Sequence, residues 1–155
     1  PGGESTTIAQ LSEVFGIYDQ IKDRIVQGMP VYGSCAGMIL LANQILDAKV
    51  GQKSFGGLDI TVRRNAFGRQ VDSFESDIAF ADGSEQLIRA VFIRAPWVEK
   101  VSESVQVLAS VDSHPVAVRS ATALATSFHP ELTGDNRIHR YFIEQVARPA
   151  LQKVK

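Results

Sequence analysis

The chain has 155 residues, of which 45% are hydrophobic and 21% are charged, and its formal net charge is −1. This length gives one domain with a substantial core, over residues 1–155, and the near-neutral charge argues against nucleic acid or an acidic membrane surface as the main partner. A single cysteine excludes an internal disulfide, and no stretch approaches the roughly 20 apolar residues of a membrane span, so a cytoplasmic protein is expected.

Helical patterns and strand patterns alternate in the first half of the chain. Apolar residues at intervals of three and four predict amphipathic helices over 5–15 and 18–26. A short strand follows at Val31, and a further apolar pattern predicts a helix over 38–46. After a glycine-rich loop, alternating apolar and polar residues predict a strand over 58–62.

Strand patterns dominate the second half. The predicted strands are 90–93, 105–111, 115–119 and 121–128. A helix over 137–147 closes the chain, with Pro149 as its stop. FGRQVDSFE, residues 67–75, is typical of neither a helix nor a strand. These elements together predict an α/β domain with a mixed sheet flanked by helices.

One stretch combines a strand, a sharp turn and a helix start around the single cysteine. VYGSCAG, residues 31–37, places Cys35 between glycines two positions before it and two positions after it. This spacing is typical of a nucleophile elbow, because the glycines relieve crowding where the strand turns into the helix. The helix start would favour the thiolate of Cys35. A buried structural cysteine is the alternative, since free cysteine is among the most buried residue types.

A nucleophilic cysteine needs an oriented base, and HPE at residues 129–131 offers both the base and its partner. Alternate residues of an extended segment project to the same side, so Glu131 can hold the imidazole of His129. Near the N-terminus, a glycine pair offers unobstructed N–H donors, and those of Gly3 and Ala36 would form an oxyanion hole. An ordinary surface loop and an ordinary turn are the alternatives for these two segments.

Five motifs together resemble one family over nearly the whole chain: PGGES, YGSCAG, RRNAFGRQVDSFE, FIRAP and SFHPELT. The resemblance is to the glutaminase subunits of pyridoxal 5′-phosphate synthases, which are triad-type class I glutamine amidotransferases. It implies a flavodoxin-like domain in which Cys35 is the nucleophile, His129 the base and acid, and Glu131 the residue that orients the histidine. It also implies that three segments contact the substrate glutamine, through Gly3, Glu4, Ser5, Arg64, Ile93 and Arg94.

The implied contacts suit the chemistry of free glutamine. An arginine such as Arg64 can hold its α-carboxylate, and a carboxylate such as that of Glu4 can hold its α-ammonium group. For Arg64 and Arg94 the alternative is a solvated charge at the end of a strand.

The resemblance further implies that ammonia passes to a barrel-shaped synthase subunit, and that the chain itself needs no metal or cofactor. The family has about 45 residues before PGGES. Because the opening Pro1-Gly2-Gly3 is typical of a loop that leaves another element, we expect the N-terminal strand and helix of the domain to be absent. Two alternatives remain: a glutaminase of the imidazole glycerol phosphate synthase type, and a non-catalytic docking module.

Overall fold

The computed structural model describes residues 1–66 and 73–152. Its helices and strands are, in chain order, α1 (Ser5–Val14), α2 (Tyr18–Val26), β1 (Val31–Ser34), α3 (Ala36–Leu41), β2 (Ala42–Leu46), β3 (Leu58–Arg63), β4 (Ser73–Ile78), β5 (Ile88–Ile93), β6 (Trp97–Val101), β7 (Gln106–Val111), β8 (His114–Arg119), β9 (Ala123–Thr126), α4 (Arg137–Tyr141) and α5 (Arg148–Gln152). None of the described helices is long and apolar enough to cross a bilayer.

The largest sheet brings together the two segments that carry the predicted nucleophile and base. Its strand order is β1-β9-β8-β7, and β1 lies parallel to β9 while the other neighbours are antiparallel. The last residue of β1, Ser34, lies opposite the last residue of β9, Thr126. Parallel strands end at the same edge of a sheet, so the chain leaves this edge toward Cys35 on one side and toward His129 on the other.

Two smaller sheets complete the architecture. β2, β3 and β6 form one of them, with β2 parallel and β6 antiparallel to β3, and β4 pairs with β5 as an antiparallel ladder. Alternate residues of β5 are buried, and its Phe92 stacks on Phe74 of β4 with ring centroids 4.5 Å apart. Phe92 also meets the ring of Phe128 edge to face, so this pair of strands packs against the segment just before His129.

The mixed α/β architecture expected from the sequence is confirmed, and the predicted strands after residue 57 differ from the observed ones by at most two residues at each end. Two strands in this part of the chain were not predicted, β4 and β6. Of the unassigned stretch 67–75, residues 67–72 lie outside the described part of the chain, and the remaining three begin β4.

The helix predicted over 38–46 is wrong in its second half. α3 ends at Leu41, and from Ala42 the backbone is extended and pairs with β3 as β2. Polar side chains in β2 bond across the strand pair, where Asn43 Nδ2 donates to Asp59 Oδ1 at 3.2 Å. Apolar spacing cannot distinguish a long helix from a short helix followed by a strand, and here pairing with β3 decides the outcome.

The sequence predicts that Pro149 stops the last helix, and this prediction is wrong. The chain changes from α-helix to a π-helical segment, Phe142–Ala147, and then continues as α5 through Pro149. Proline has no N–H to donate to the carbonyl four residues earlier. That carbonyl belongs to Gln145, and it accepts a hydrogen bond from Arg119 Nη1 at 3.1 Å instead. Widening of the helix together with this outside donor lets the helix pass the proline.

Candidate active site

The turn between β1 and α3 has the strained backbone that the sequence predicts for an elbow. Cys35 adopts φ 51° and ψ −105°, a region that residues with a side chain rarely occupy. A Cβ on Gly33 would lie 2.5 Å from the carbonyl carbon of Gly37, so the helix start leaves room only for glycine there. The Gly37 position is less demanding, because a Cβ there would lie 3.5 Å from the nearest atom outside its own helix, the carbonyl oxygen of Pro1.

The sulfur of Cys35 is buried beside backbone donors. Only 7% of the residue is exposed, and this burial raises the pKa of the thiol above its ordinary value. The N–H groups of Ala36 and Gly3 hydrogen-bond to the sulfur and act in the opposite direction without reversing the shift. The N–H of Ala36 at the helix start thus favours the thiolate as expected, but desolvation of the sulfur outweighs it and the resting thiol is harder to ionise.

The histidine and glutamate of the HPE segment contact each other as predicted. His129 Nδ1 and Glu131 Oε1 lie 2.7 Å apart, and a short 3₁₀ turn, Pro130–Leu132, brings the carboxylate under the ring. Burial would raise the pKa of Glu131, but the hydrogen bond with His129 and a backbone N–H outweigh it and lower that pKa. Glu131 thus stays a carboxylate at neutral pH and orients the imidazole of His129.

Gly2 lies against the imidazole of His129, a contact that the sequence did not indicate. A Cβ at this position would lie 2.4 Å from Cε1 of the ring, so the chain approaches the histidine more closely than any side chain permits. The glycine pair therefore has two functions. Gly2 leaves space for the ring, and Gly3 presents its N–H to the sulfur of Cys35.

A buried threonine connects the strand that leads to the cysteine with the loop that carries the histidine. The Tyr32 hydroxyl donates to Thr126 Oγ1 at 2.9 Å, and the Thr126 hydroxyl donates in turn to the carbonyl of Phe128 at 3.0 Å. The carbonyl of Thr126 accepts the N–H of Cys35 at 2.7 Å. Thr126, with no exposed surface, thereby links the backbone at Cys35 to the residue before His129.

Nearly all of the predicted site residues line one cavity of about 380 Å³, whose walls are Gly3, Glu4, Ser5, Cys35, Ala36, Ile39, Lys49, Arg64, Asn65, Ile93, Arg94 and His129. Glu131 is the exception, because it contacts His129 without lining the cavity. Two further non-glycine residues of the wall, Asn65 and Arg94, have positive φ like Cys35. Strained residues of this kind cluster at functional sites.

Lys49 and Asn65 belong to this wall but were not among the predicted site residues. Asn65 directly follows Arg64 in the RRN motif, and that adjacency is a signal that could have indicated it. Nothing in the sequence near Lys49 indicates its place. Within residues 1–66 and 73–152, no group of histidine, cysteine, aspartate and glutamate side chains has a metal-binding arrangement.

Glu4 and Arg64 face the cavity as an ion pair. Arg64 Nη2 lies 2.9 Å from Glu4 Oε1, and the arginine side chain is only 9% exposed. The second oxygen of Glu4 accepts the N–H of Thr7 at 2.7 Å and caps α1. Burial alone would raise the pKa of Glu4, but hydrogen bonds, chiefly from the N–H and the hydroxyl of Thr7, together outweigh it and lower that pKa to about 2. The cavity mouth therefore presents a fixed negative charge beside a guanidinium group.

The charge of Glu4 is expected to stabilise the fold in a pH-dependent way. Because the pKa of Glu4 falls from 4.5 to about 2 on folding, its contribution is complete above pH 4.5 and is lost as the pH falls toward 2. Glu4→Gln should lower the free energy of unfolding by about 0.5–1 kcal/mol at pH 6, because the carboxylate is partly solvated. Urea titrations at pH 6 and pH 2.5 should show this difference shrinking at the lower pH. Glu103→Gln, at an exposed turn, is the control and should follow the parent protein.

Comparisons with known proteins show to which family the chain belongs. The profile of the SNO glutamine amidotransferase family matches residues 1–148. The pyridoxal 5′-phosphate synthase subunits PdxT of Mycobacteroides abscessus and Streptomyces coelicolor are 59% and 57% identical over 146 residues, which cover 94% of this chain and 75% and 72% of the relatives. A solved glutamine amidotransferase is 47% identical with a TM-score of 0.85, over 94% of this chain and 76% of that one. The chain therefore belongs to the SNO glutamine amidotransferase family.

Proposed function

We propose that this chain hydrolyses L-glutamine to L-glutamate and ammonia with Cys35, His129 and Glu131, as the glutaminase component of a pyridoxal 5′-phosphate synthase. The observation that carries the proposal is the single cavity in which a buried cysteine, an oriented histidine and an ion pair meet. Its volume of about 380 Å³ is within the usual range for a small-molecule site.

The first half of the reaction forms a thioester. The sulfur of Cys35 attacks the amide carbon of glutamine while His129 accepts the thiol proton, and the N–H groups of Gly3 and Ala36 hold the oxyanion. His129 then gives its proton to the amide nitrogen, the carbon–nitrogen bond breaks, and ammonia leaves. The raised pKa of the Cys35 thiol makes this proton acceptor necessary, because the sulfur is protonated at neutral pH.

The second half restores the enzyme. A water molecule loses a proton to His129 and attacks the thioester carbon, and the sulfur departs and takes the proton back. Glutamate is then released. These steps use only groups of the chain and water, with Glu131 holding the imidazole in one orientation throughout.

Binding of the substrate is assigned to the polar side of the cavity. Arg64 and Arg94 are the candidates for the α-carboxylate, and Glu4 is the candidate for the α-ammonium group. Ser5 and the backbone of Ile93 complete the wall. The Ile93 carbonyl already accepts a weak hydrogen bond from the Cys35 sulfur at 3.9 Å, so it lies beside the reacting centre.

The partner that we propose is the synthase subunit of pyridoxal 5′-phosphate synthase, a barrel-shaped protein that would consume the ammonia. The names of the relatives support this choice, since they describe subunits of that synthase. The imidazole glycerol phosphate type of glutaminase is less well supported, because FGRQVDSFE and FIRAP are among the motifs through which this chain resembles the glutaminase subunits of pyridoxal 5′-phosphate synthases.

The test combines this chain with that synthase subunit and measures glutamate release. Release is expected with the parent chain, and Cys35→Ala should abolish it, while Ser104→Ala, an exposed residue outside the cavity, should leave it unchanged. Persistent turnover by the alanine variant would refute the mechanism.

A glutamine-mimicking diazo-ketone separates an enzyme from a docking module. Covalent labelling of Cys35, detected by peptide mass spectrometry, is expected for a working site. A chain that binds the synthase subunit but neither turns over glutamine nor accepts the label would be a non-catalytic module.

A further inference from the structure

We propose that Gln52 is a positioning residue that determines affinity for the α-carboxylate of the substrate, by holding Arg64 and Ser5 from behind the cavity wall. The proposal rests on the function proposed above. Gln52 belongs to the loop between β2 and β3 and is half-buried, and it does not itself line the cavity.

Both ends of the Gln52 side chain are engaged. Its Nε2 donates to Ser5 Oγ at 2.9 Å, and its Oε1 accepts a hydrogen bond from Arg64 Nη1. The same oxygen also accepts the backbone N–H of Lys49 at 3.3 Å. The amide therefore bridges the start of α1, its own loop and the end of β3, and three of its partners, Ser5, Lys49 and Arg64, are cavity residues.

The position of the Arg64 guanidinium depends on two acceptors. Glu4 binds Nη2 and Gln52 binds Nη1, so the planar group is held between a charged acceptor and a neutral one. Without Gln52, Nη1 would lose its acceptor, and the guanidinium would be free to turn about its remaining hydrogen bond to Glu4 Oε1. Arg64 would then be less available to an incoming carboxylate. The neutral amide of Gln52 thus holds the Arg64 guanidinium in place without neutralising its charge.

A primary amide satisfies this arrangement. It offers a donor for Ser5 and an acceptor for Arg64 within the same planar group. A glutamate at position 52 would lose the donor and would place a second negative charge beside Arg64. The side chain of Gln52 bonds to Ser5 and Arg64 and not to Cys35 or His129. We therefore expect its substitution to affect the binding of glutamine and not the chemical step.

The experiment measures kcat and KM for glutamine hydrolysis by the chain in complex with its synthase subunit. Gln52→Ala should raise KM for L-glutamine about 10-fold with little change in kcat, as loss of one hydrogen bond to a charged group would do. Gln52→Glu should raise KM at least as much. Lys53→Ala is the matched control, because Lys53 is exposed in the same loop and contacts Glu13 but neither Ser5 nor Arg64.

A second substrate tests whether Gln52 affects KM through the α-carboxylate of glutamine. For the α-amide of L-glutamine, which has no α-carboxylate, KM should be the same for the parent chain and for Gln52→Ala. A fall in kcat at constant KM, an unchanged KM for glutamine, or an equal rise in KM for both substrates would each overturn the proposal. Absence of turnover in the parent complex would refute the proposed function itself, and this inference with it.

Thermal melts of both variants identify any loss of folding. A change in KM that simply followed the melting temperature across both variants and the control would also contradict the role proposed for Gln52.

Discussion

Replacing His129 by glutamine is expected to lower kcat for glutamine hydrolysis by about 10²–10⁴-fold, with little change in KM. The reason is the state of the sulfur. Burial raises the pKa of the Cys35 thiol, so nucleophilic attack requires a group that takes the proton. Among the described residues, His129 is the one imidazole that lines the cavity, and the Glu131 carboxylate holds it at 2.7 Å.

The remaining activity should depend on pH differently from that of the parent chain. Without the imidazole, turnover should rise with pH as hydroxide or solvent removes the thiol proton, and the rise should continue into the alkaline range where the thiol ionises. His114→Gln is the matched control, since His114 stacks on Trp97 away from the cavity and should leave the rate unchanged. A His129→Gln variant with parental kcat would remove the histidine from the mechanism.

Gly33→Ala is expected to destabilise the fold more than an alanine at any open surface position. The added Cβ would lie 2.5 Å from the carbonyl carbon and 2.6 Å from the carbonyl oxygen of Gly37, and backbone atoms cannot rotate away as a flexible side chain can. Overpacking of this kind costs about 1–3 kcal/mol, and each kcal/mol lowers the melting temperature of a chain of this size by about 2–4 °C. Differential scanning calorimetry measures the change.

Gly37→Ala provides the comparison within the same turn. The added Cβ would lie 3.5 Å from the nearest atom outside its helix, the Pro1 carbonyl oxygen, and alanine favours the helical conformation more than glycine does. Its melting temperature should therefore equal or exceed that of the parent chain. If both variants melted alike, the close approach of β1 to α3 would not be the reason for glycine at position 33.

The elbow could be predicted from the sequence because its requirements are local. Two glycines, a short strand and the start of a helix lie within seven residues, and the positive φ of Cys35 follows from their spacing. The contact between His129 and Glu131 was predictable for the same reason, since only one residue separates them. That both segments lie at the same edge of a sheet required the pairing of β1 with β9, which periodicity alone does not give.

What the sequence did not reveal depends on long-range contacts. The strand β2 exists because Ala42 and its neighbours pair with β3, against a spacing that also fits a helix. Thr126 links the cysteine and histidine segments only once β9 lies beside β1. Gln52 meets Ser5 and Arg64 from 47 and 12 residues away, and neither separation carries a recognisable pattern.

The protonated, enclosed thiol of Cys35 also bears on how the protein withstands oxidants. Peroxides react with thiolates, and solvent-exposed cysteines of low pKa are the ones converted to sulfenic acid. A sulfur that is 7% exposed and has a raised pKa meets neither condition. We therefore expect the resting thiol to react slowly with peroxides, and its reactivity to appear only when a base withdraws the proton.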